Sequence, residues 1–336
     1  MNTRTWLVAV LVGVAALMVR SSIADEPKSA AEAIKKGDQL REKGDFAGAT
    51  AAYTKAIQLD PTFAKAYRYR AFVWRKKGDY AKAVADYTEA LRLNPNDAEV
   101  LWRRGDVYAN QHKFDKAIAD YTDAIRLNPK QFEAYGGRAY AYGKKGQLDK
   151  AVADFGEVIR LNPKDAQAHL GRGWDCYQKG NFEKALADYS EAIQLDPKNV
   201  YAYSGRGSAY GKKGEWSKAI ADYIEAIRLD PMNADAYYNR GWAYSKTGRL
   251  DNALSDYNQA IQLDGMNADA LYNRGLTYSK QGRLDEAITD YTKAIRLNPR
   301  LADVYYARGY AYSKKGEKGK AEADFAQAKK LGYKPP

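Results

Sequence analysis

The sequence predicts an all-α protein, an α-solenoid of stacked antiparallel helix pairs, because one helix-pair pattern recurs nine times at a spacing of 34 residues. A glycine follows the first predicted helix of almost every repeat, and an alanine and then an aromatic residue stand at fixed distances beyond it. A proline closes most repeats. The glycines are Gly44, Gly78, Gly146, Gly180, Gly214, Gly248, Gly282 and Gly316, with His112 in the one gap. The aromatic residues are Tyr53, Tyr87, Tyr121, Phe155, Tyr189, Tyr223, Tyr257, Tyr291 and Phe325.

Within each repeat the apolar residues have the spacing of two helices. In the second repeat, Tyr67, Ala71 and Trp74 lie at i, i+4 and i+7 on one face of a first helix. Gly78 ends this helix, because glycine readily adopts the left-handed conformation of a helix C-terminus. The second helix ends before Pro95, since the residue preceding a proline is driven out of helical geometry. Its apolar face carries Tyr80, Ala83, Val84, Tyr87, Ala90 and Leu91.

The first 24 residues differ in composition from the repeats. Arg4 is followed by an uncharged run at 6–19, and small residues occupy the two positions that a signal peptidase reads at the end of the segment. The sequence therefore predicts a signal peptide over 1–24 and an exported protein, periplasmic or secreted. One alternative is a membrane anchor formed by residues 6–19, although this run is shorter than the roughly 20 residues of a typical span. The other is a buried core helix.

The 34-residue pattern resembles that of the tetratricopeptide repeat family. The family's glycine, aromatic and alanine positions and its final proline are occupied in the third repeat by Gly105, Tyr108, Ala117, Tyr121, Ala124 and Pro129. The resemblance covers 30–335, after a short segment at 25–29. It implies helix hairpins that wind into a superhelix with a concave groove lined by the first helices. Repeats 1 to 9 are predicted at 30–63, 64–97, 98–131, 132–165, 166–199, 200–233, 234–267, 268–301 and 302–335, the last with Lys318 on the polar face of a capping repeat.

Two charged columns stay constant from repeat to repeat, which indicates that they serve packing in each of them. Their equal numbers and fixed spacing predict an Arg–Asp ion pair that joins the first helix to the second, either within a repeat or across to the next. The alternative is an arginine ladder that grips an anionic ligand. The arginines are Arg70, Arg104, Arg138, Arg172, Arg206, Arg240, Arg274 and Arg308. The aspartates are Asp86, Asp120, Asp154, Asp188, Asp222, Asp256, Asp290 and Asp324.

Two other columns of the first helix vary between repeats, and the family resemblance places them in the groove. They carry large aromatic residues with a polar edge, which are common anchors of protein recognition. A partial row of lysines stands beside them, and an acidic row of Asp235, Asp269 and Asp303 lies on the opposite side. The predicted partner-binding residues are Trp102, Tyr140, Trp174, Tyr238, Trp242, Tyr272, Tyr306, Tyr310, Lys212, Lys246 and Lys280. The alternative is that these aromatic residues pack between adjacent first helices and that the lysines complement the helix dipole.

The sequence offers no pattern for an enzyme, a metal site or a cofactor. Only two histidines occur, His112 in a turn and His169 in a packing position. The single cysteine, Cys176, falls in an apolar helical register, so we expect it to be buried in packing rather than reactive. The serines and aspartates are spread by the repeat rather than gathered into a nucleophilic site. We therefore expect no catalysis, no metal and no cofactor.

The sequence favours an adaptor that holds a protein or peptide partner in its groove. The anchors would be Trp174, Tyr238, Trp242, Tyr272 and Tyr306, with the three lysines setting the orientation. The formal net charge of +12 favours an acidic partner. Nucleic acid is not expected for an exported protein, and membrane contact is expected only if the N-terminal segment stays uncleaved. Two rivals stay open: a scaffold for envelope glycan or polymer that uses the same aromatic groove, and a structural spacer without a ligand.

Overall fold

A computed structural model describes residues 27–334, in which there are eighteen α-helices and no strand. The predicted fold class, an all-α solenoid, is confirmed. The predicted signal peptide or anchor in residues 1–24 lies outside the described residues. In chain order the helices are α1 (Ala30–Glu42), α2 (Phe46–Leu59), α3 (Ala64–Lys76), α4 (Tyr80–Leu93), α5 (Ala98–Asn110), α6 (Phe114–Leu127), α7 (Phe132–Lys144), α8 (Leu148–Leu161), α9 (Ala166–Gln178), α10 (Phe182–Leu195), α11 (Val200–Lys212), α12 (Trp216–Leu229), α13 (Ala234–Lys246), α14 (Leu250–Leu263), α15 (Ala268–Lys280), α16 (Leu284–Leu297), α17 (Ala302–Lys314) and α18 (Lys318–Lys330).

The chain divides into two compact units, one ending at Leu161 and the other beginning at Asn162. The N-terminal unit contains helices α1 to α8, and the C-terminal unit contains α9 to α18. Within each unit the two helices of a repeat pack against each other, and the second helix also packs against the first helix of the following repeat. This succession of nearest-neighbour contacts is that of a solenoid. None of the helices between residues 27 and 334 is long and apolar enough to cross a membrane.

The second helix of repeat 2, α4, begins at a side-chain cap and ends before a proline. In repeat 2 the carboxylate of Asp79 accepts a hydrogen bond from the backbone N–H of Lys82 at 3.3 Å and so caps α4. At the other end Asn94 leaves helical geometry, with φ −136° and ψ 88°, while its N–H still donates to the carbonyl of Ala90. Pro95 forces this extended conformation on Asn94, which ends the helix where the sequence predicts.

The first helix of each repeat is followed by a residue in the left-handed conformation. Gly78 has φ 79°, and the next N–H, that of Asp79, donates to the carbonyl of Trp74 at 2.9 Å. This bond satisfies a carbonyl that the helix end would leave unpaired. In repeat 3 the same position is held by His112, with φ 57°. The substitution of histidine for the turn glycine therefore leaves the backbone of the turn unchanged.

Tyrosines of the second helices form the centre of each core. They are Tyr53, Tyr87 and Tyr121 in the N-terminal unit and Tyr189, Tyr257 and Tyr291 in the C-terminal unit, all less than 2% exposed. The Tyr121 ring lies against the backbone of two first helices, because a Cβ at Gly105 or Gly137 would come within 2.8 or 2.4 Å of it. Glycine at these two positions therefore lets consecutive first helices close on one ring.

Candidate protein-binding surface

The constant Arg–Asp columns form bidentate ion pairs inside each of repeats 2 to 9. In repeat 2, Nε and Nη2 of Arg70 each donate to one carboxylate oxygen of Asp86 at 2.8 Å. The aspartates of this column are buried and the arginines nearly so. Hydrogen bonding to the carboxylate is the largest cause that raises the pKa of Arg70 above its usual value. From the sequence, the pair could form either within a repeat or between neighbouring repeats. In the structure, each arginine pairs with the aspartate of its own repeat.

Six of these eight guanidinium groups also reach the preceding repeat. Nη1 of Arg70 donates to the hydroxyl of Thr54 on α2 at 3.0 Å. In the C-terminal unit, Arg308 reaches Thr292 and Arg274 reaches Asn258 in the same way. The arginines therefore hold adjacent repeats in register. With their donors directed at these partners, they act as structural links, which disfavours the alternative of a ladder for an anionic ligand.

The predicted partner-binding aromatic residues differ widely in exposure. Tyr140 in the N-terminal unit and Trp174 and Tyr310 in the C-terminal unit are 49%, 54% and 47% exposed. The others are half-buried: Trp102, Tyr238, Trp242, Tyr272 and Tyr306. We refer to the exposed side of the first helices as the first-helix surface, and only three of the eight predicted partner-binding aromatic residues project far from it.

Trp242 is engaged in packing between repeats 6 and 7. Its indole meets that of Trp216, the first residue of α12, edge to face with ring centroids 5.0 Å apart. Both rings also lie against Gly211. The Nζ atom of Lys246 lies 5.3 Å from the centre of the Trp242 ring. The contacts of Trp242 therefore favour the alternative stated above, that this aromatic residue packs between repeats.

Tyr238, Tyr272 and Tyr306 form a row in which each ring leans on the aromatic ring of the second helix of its own repeat. The ring centroids lie 6.1 Å apart for Tyr238 with Tyr257 and for Tyr272 with Tyr291, and 5.4 Å apart for Tyr306 with Phe325. This contact explains why the three tyrosines are half-buried although their column varies. One edge of each ring stays on the first-helix surface.

Polar neighbours tie this row together. The side-chain amide of Asn273 donates to the hydroxyl of Tyr238 at 3.1 Å, which links repeats 7 and 8. Burial, and secondarily the carboxylate of Asp303, raises the pKa of Tyr272 to about 12. At the end of the row, Tyr333 follows the last helix and stacks on Tyr306 with ring centroids 4.2 Å apart. Tyr333 thus covers one face of Tyr306, the last tyrosine of the row.

The predicted lysines are all exposed, and a related contact recurs in their column. Lys144 and Lys314 lie 5.3 and 5.5 Å from the ring centres of Tyr140 and Tyr310, four residues earlier on the same helix. Lys246 does the same on Trp242. Lys212 and Lys280 have no aromatic residue at that spacing. The lysines next to a ring therefore extend its surface with a cation, and the other two project freely into solvent.

Trp102, the predicted partner-binding residue of repeat 3, lies beneath a cation. The guanidinium carbon of Arg103 is 4.5 Å from the centre of its ring. The indole Nε1 is buried and has no hydrogen-bond partner among the described residues. Trp102 is therefore a half-buried ring with an unused donor rather than a projecting anchor.

Sequence analysis missed the most exposed aromatic residue on the first helices. Tyr201, in the first turn of α11, is 75% exposed. It stands in the column that holds Asp235, Asp269 and Asp303 in later repeats, which was interpreted only as an acidic row. The signal was an aromatic residue in a column that is acidic in five other repeats, at Glu99, Glu133, Asp235, Asp269 and Asp303. Phe72 was also not predicted as a site residue.

Neither histidine nor the cysteine forms a recognisable reactive site. Cys176 is buried, as predicted, and burial is the main cause that raises the pKa of its thiol. His169 is buried with its Nδ1 3.5 Å from a carboxylate oxygen of Asp188, the partner of Arg172. Between residues 27 and 334 there is no group of three or more acidic, histidine or cysteine side chains that could hold a metal ion.

Models of the TPR repeat match seven segments of the chain, at 37–76, 73–112, 105–146, 175–214, 207–248, 243–282 and 278–316. Two further models, described as tetratricopeptide repeat, match 132–165 and 302–331. The chain belongs to the tetratricopeptide repeat family. Members of this family are typically non-enzymatic, and membership supports a protein-interaction scaffold with a protein or peptide as partner.

Several solved structures are similar to this chain. The hetero-tetramer Cut9–Hcn1 of APC/C has a TM-score of 0.58 and 20% identity, over 83% of this chain and 55% of that chain. A tetratricopeptide repeat protein from Parabacteroides merdae has a TM-score of 0.50 and 20% identity, over 85% of this chain and 99% of that one. The MamA structure has 32% identity over 47% of this chain and 93% of its own, with a TM-score of 0.45. The first two show the fold. No curated protein matches the chain.

Proposed function

We propose that the protein is a non-enzymatic adaptor that binds a protein or peptide partner on its first-helix surface. One observation carries the proposal: Trp174, Tyr201 and Tyr310 project from first helices of the C-terminal unit and are about half exposed or more. Removing such rings from water on contact with a partner would be favourable, and aromatic residues of this kind are common binding anchors. Tyr140 offers a similar ring in the N-terminal unit.

The neighbouring groups support a peptide-like ligand. Lysines lie beside the Tyr140 and Tyr310 rings, and Lys212 and Lys280 are exposed. Backbone carbonyls and acidic side chains of a partner could accept hydrogen bonds from these ammonium groups and so orient it. The net charge of +12 supports an acidic partner by attracting it over a distance.

The test compares capture from intact cells by three forms of the protein. The first is native, and the second is W174A/Y201A/Y310A, which removes exposed rings from first helices. The matched control is I224A/M232A/M266A, which removes exposed apolar side chains from a second helix and from loops between repeats. Circular dichroism verifies that all three are equally helical.

We expect one polypeptide to crosslink to the native and control forms and to be lost from the first-helix variant. Equal capture by all three forms would contradict the proposal. Binding of envelope glycan without any polypeptide would favour the rival scaffold for glycan or polymer, since exposed aromatic rings also stack on sugars.

We further propose that the chain is exported, on the strength of residues 1–24 alone. N-terminal sequencing of protein purified from its native cells tests this. A mature N-terminus at residue 25 would support export by a cleaved signal. An intact N-terminus with the protein in the membrane fraction would favour the anchor formed by residues 6–19, and an intact one in the cytoplasm would contradict export.

A further inference from the structure

Phe72 on α3 lies among four cationic side chains drawn from three consecutive repeats. Arg75 and Lys76 come from the same helix, Arg41 from α1 and Arg103 from α5. Their charged groups lie 5.5, 5.9, 5.6 and 5.7 Å from the centre of the ring, respectively. We call these five residues together with Trp102 the Phe72 cluster. Its members belong to the N-terminal unit, on the first helices of repeats 1 to 3.

Phe72 replaces an aspartate that the flanking repeats have at this position. In repeat 1, Asp38 accepts a hydrogen bond from the buried hydroxyl of Tyr53 at 2.7 Å. In repeat 3, Asp106 does the same for Tyr121 at 2.8 Å. In repeat 2 the ring of Phe72 offers no acceptor. The hydroxyl of the equivalent Tyr87 is buried without a partner, and burial raises its pKa to about 12.

The cluster holds an excess of hydrogen-bond donors. Among residues 27–161, four buried side-chain polar atoms lack a partner. They are Nε of Arg41, Nε of Arg75, Nε1 of Trp102 and the hydroxyl of Tyr87. Three belong to the cluster itself, and the fourth is the hydroxyl that Phe72 leaves without an acceptor. Unpaired buried donors are costly, so their concentration here indicates a place where acceptors are expected from outside the chain.

The carboxylates near the cluster compensate its charge only in part. Asp38 pairs with Arg41 at 3.2 Å. Glu99 is shared between Arg103 at 2.9 Å and Arg68, a further arginine at the edge of the cluster, at 2.5 Å. Asp106 is held by its tyrosine, and burial raises its pKa, which disfavours its charged form. Within residues 27–334, Arg75 and Lys76 have no carboxylate within ion-pair distance.

Ordinary packing explains only part of this arrangement. Arg75 and Lys76 stand in the last turn of α3, where cations complement the helix dipole without any ligand. That account does not explain why Arg41 and Arg103, from neighbouring helices, converge on the same ring. Nor does it explain the replacement of aspartate by phenylalanine at the centre.

We propose that the Phe72 cluster binds an acidic segment of the protein partner. Carboxylates of the segment would accept from Arg75 and Lys76, the two cations of the cluster that have no ion-pair partner among residues 27–334, with Arg41 and Arg103 on either side. The edge of the Phe72 ring provides an apolar contact for the segment's aliphatic stems. This inference rests on the proposed adaptor function and names the chemistry of the partner at one site of the N-terminal unit.

The test uses the full mature chain and two fluorescein-labelled peptides, octaglutamate and octaglutamine, with binding followed by fluorescence anisotropy. Two variants remove the site. R75Q/K76Q deletes the uncompensated cations, and F72D places a carboxylate in their midst. Fold is expected to survive F72D, because the new carboxylate can accept from Tyr87 as Asp38 and Asp106 do in the flanking repeats.

The matched control is R126Q/R160Q. It removes the same number of charges from the same unit, at exposed arginines of second helices that pair only with a carboxylate three residues earlier. We expect octaglutamate to bind the native and control forms equally. For R75Q/K76Q we expect a loss of about tenfold, the sum of two partly exposed ion pairs, and for F72D a loss at least as large.

An equal loss in the control, or unchanged binding to both site variants, would overturn the inference, because affinity would then reflect net charge alone. Octaglutamine binding as tightly as octaglutamate would overturn it as well. Either result leaves the adaptor function standing if partner capture still depends on Trp174, Tyr201 and Tyr310. Conversely, if the capture experiment failed, selective binding of octaglutamate would still show that the Phe72 cluster binds acidic peptides.

Discussion

His112 is the one residue other than glycine between positions 27 and 334 whose φ is positive. An L-residue pays roughly 1–2 kcal/mol for the left-handed conformation, part of which is recovered because it has less freedom than glycine in the unfolded chain. We predict that H112G raises the free energy of unfolding by about 0.5–1 kcal/mol, measured by urea denaturation. A destabilised H112G would show that the contact of His112 with the Phe114 ring outweighs the backbone strain.

Asp175 is a buried carboxyl, 4% exposed, in a column that holds buried Val73 and Val107 in other repeats. Burial raises its pKa to about 6 from 3.8. Between these values the folded protein binds a proton that the unfolded chain does not, so stability falls as the pH rises through this window and stays lower above it.

Replacing Asp175 by asparagine, a neutral isostere, removes this loss of stability at higher pH. We predict that D175N is more stable than the native protein above pH 6, by about 1–3 kcal/mol, and that the difference disappears near pH 4. Urea denaturation at a series of pH values measures it. A difference independent of pH, or one that grows as the pH falls, would contradict the assigned cause.

Residue by residue, the sequence predicted conformation better than exposure. It placed His112 in the turn and Cys176 in packing, because both positions are set by repeats on either side. It did not anticipate Asp175, since the carboxyl occurs once in its column and no pattern signals an isolated charge. It could not rank the aromatic anchors, because a column shows which helix face a residue occupies but not how deeply a neighbouring ring covers it.

Among the helices, each Arg–Asp pair links the first helix of a repeat to the second through two hydrogen bonds. Asp290 is buried and bound by two donors of Arg274, at 2.6 and 2.7 Å. Deleting the carboxylate leaves a largely buried cation unpaired. We predict that D290A lowers the free energy of unfolding by about 3 kcal/mol. The matched control E286Q breaks an exposed pair with Arg283 and should cost less than about 0.5 kcal/mol. Equal effects would refute a structural role for the buried column.

At this scale Trp242, which the sequence predicts as a binding anchor, also contributes to packing between repeats. Since its indole packs on Trp216 of the preceding repeat, we now predict that W242A lowers the free energy of unfolding by about 2 kcal/mol. The exposed W174A should change it by less than about 1 kcal/mol. Chemical denaturation of both variants decides, and a stable W242A would restore the original assignment.

The boundaries of the helices could be predicted from glycine, proline and the apolar spacing, because these signals are local. The packing of Trp242 could not be predicted in this way. It depends on Trp216, and no other second helix begins with a tryptophan, so comparison between repeats did not indicate the contact. The link from the arginines to polar side chains of the preceding repeat, such as Thr54, was also not predicted, because that column is not constant and includes Gly156 and Ile224.

Over the whole molecule, the two units offer different chemistry on their first helices. The N-terminal unit carries the cationic Phe72 cluster, whereas the C-terminal unit carries a tyrosine row with exposed Trp174 and Tyr201. The repeat family and the solenoid class were evident from the sequence, since nine copies of one pattern leave little choice. The Phe72 cluster was not, because its side chains come from three repeats and from different columns, which only the fold brings together.

The central claim is that the first-helix surface, and not another face, meets the partner. The most direct test places a photo-crosslinking benzoylphenylalanine at Tyr201 in one form of the protein and at Ile224, an exposed residue of the second helix α12, in another. Both positions lie in the C-terminal unit, and intact cells are irradiated before mass spectrometry. We predict adducts with one discrete polypeptide from position 201 and none from position 224. Adducts from position 224 alone, or the same yield from both, would contradict the account.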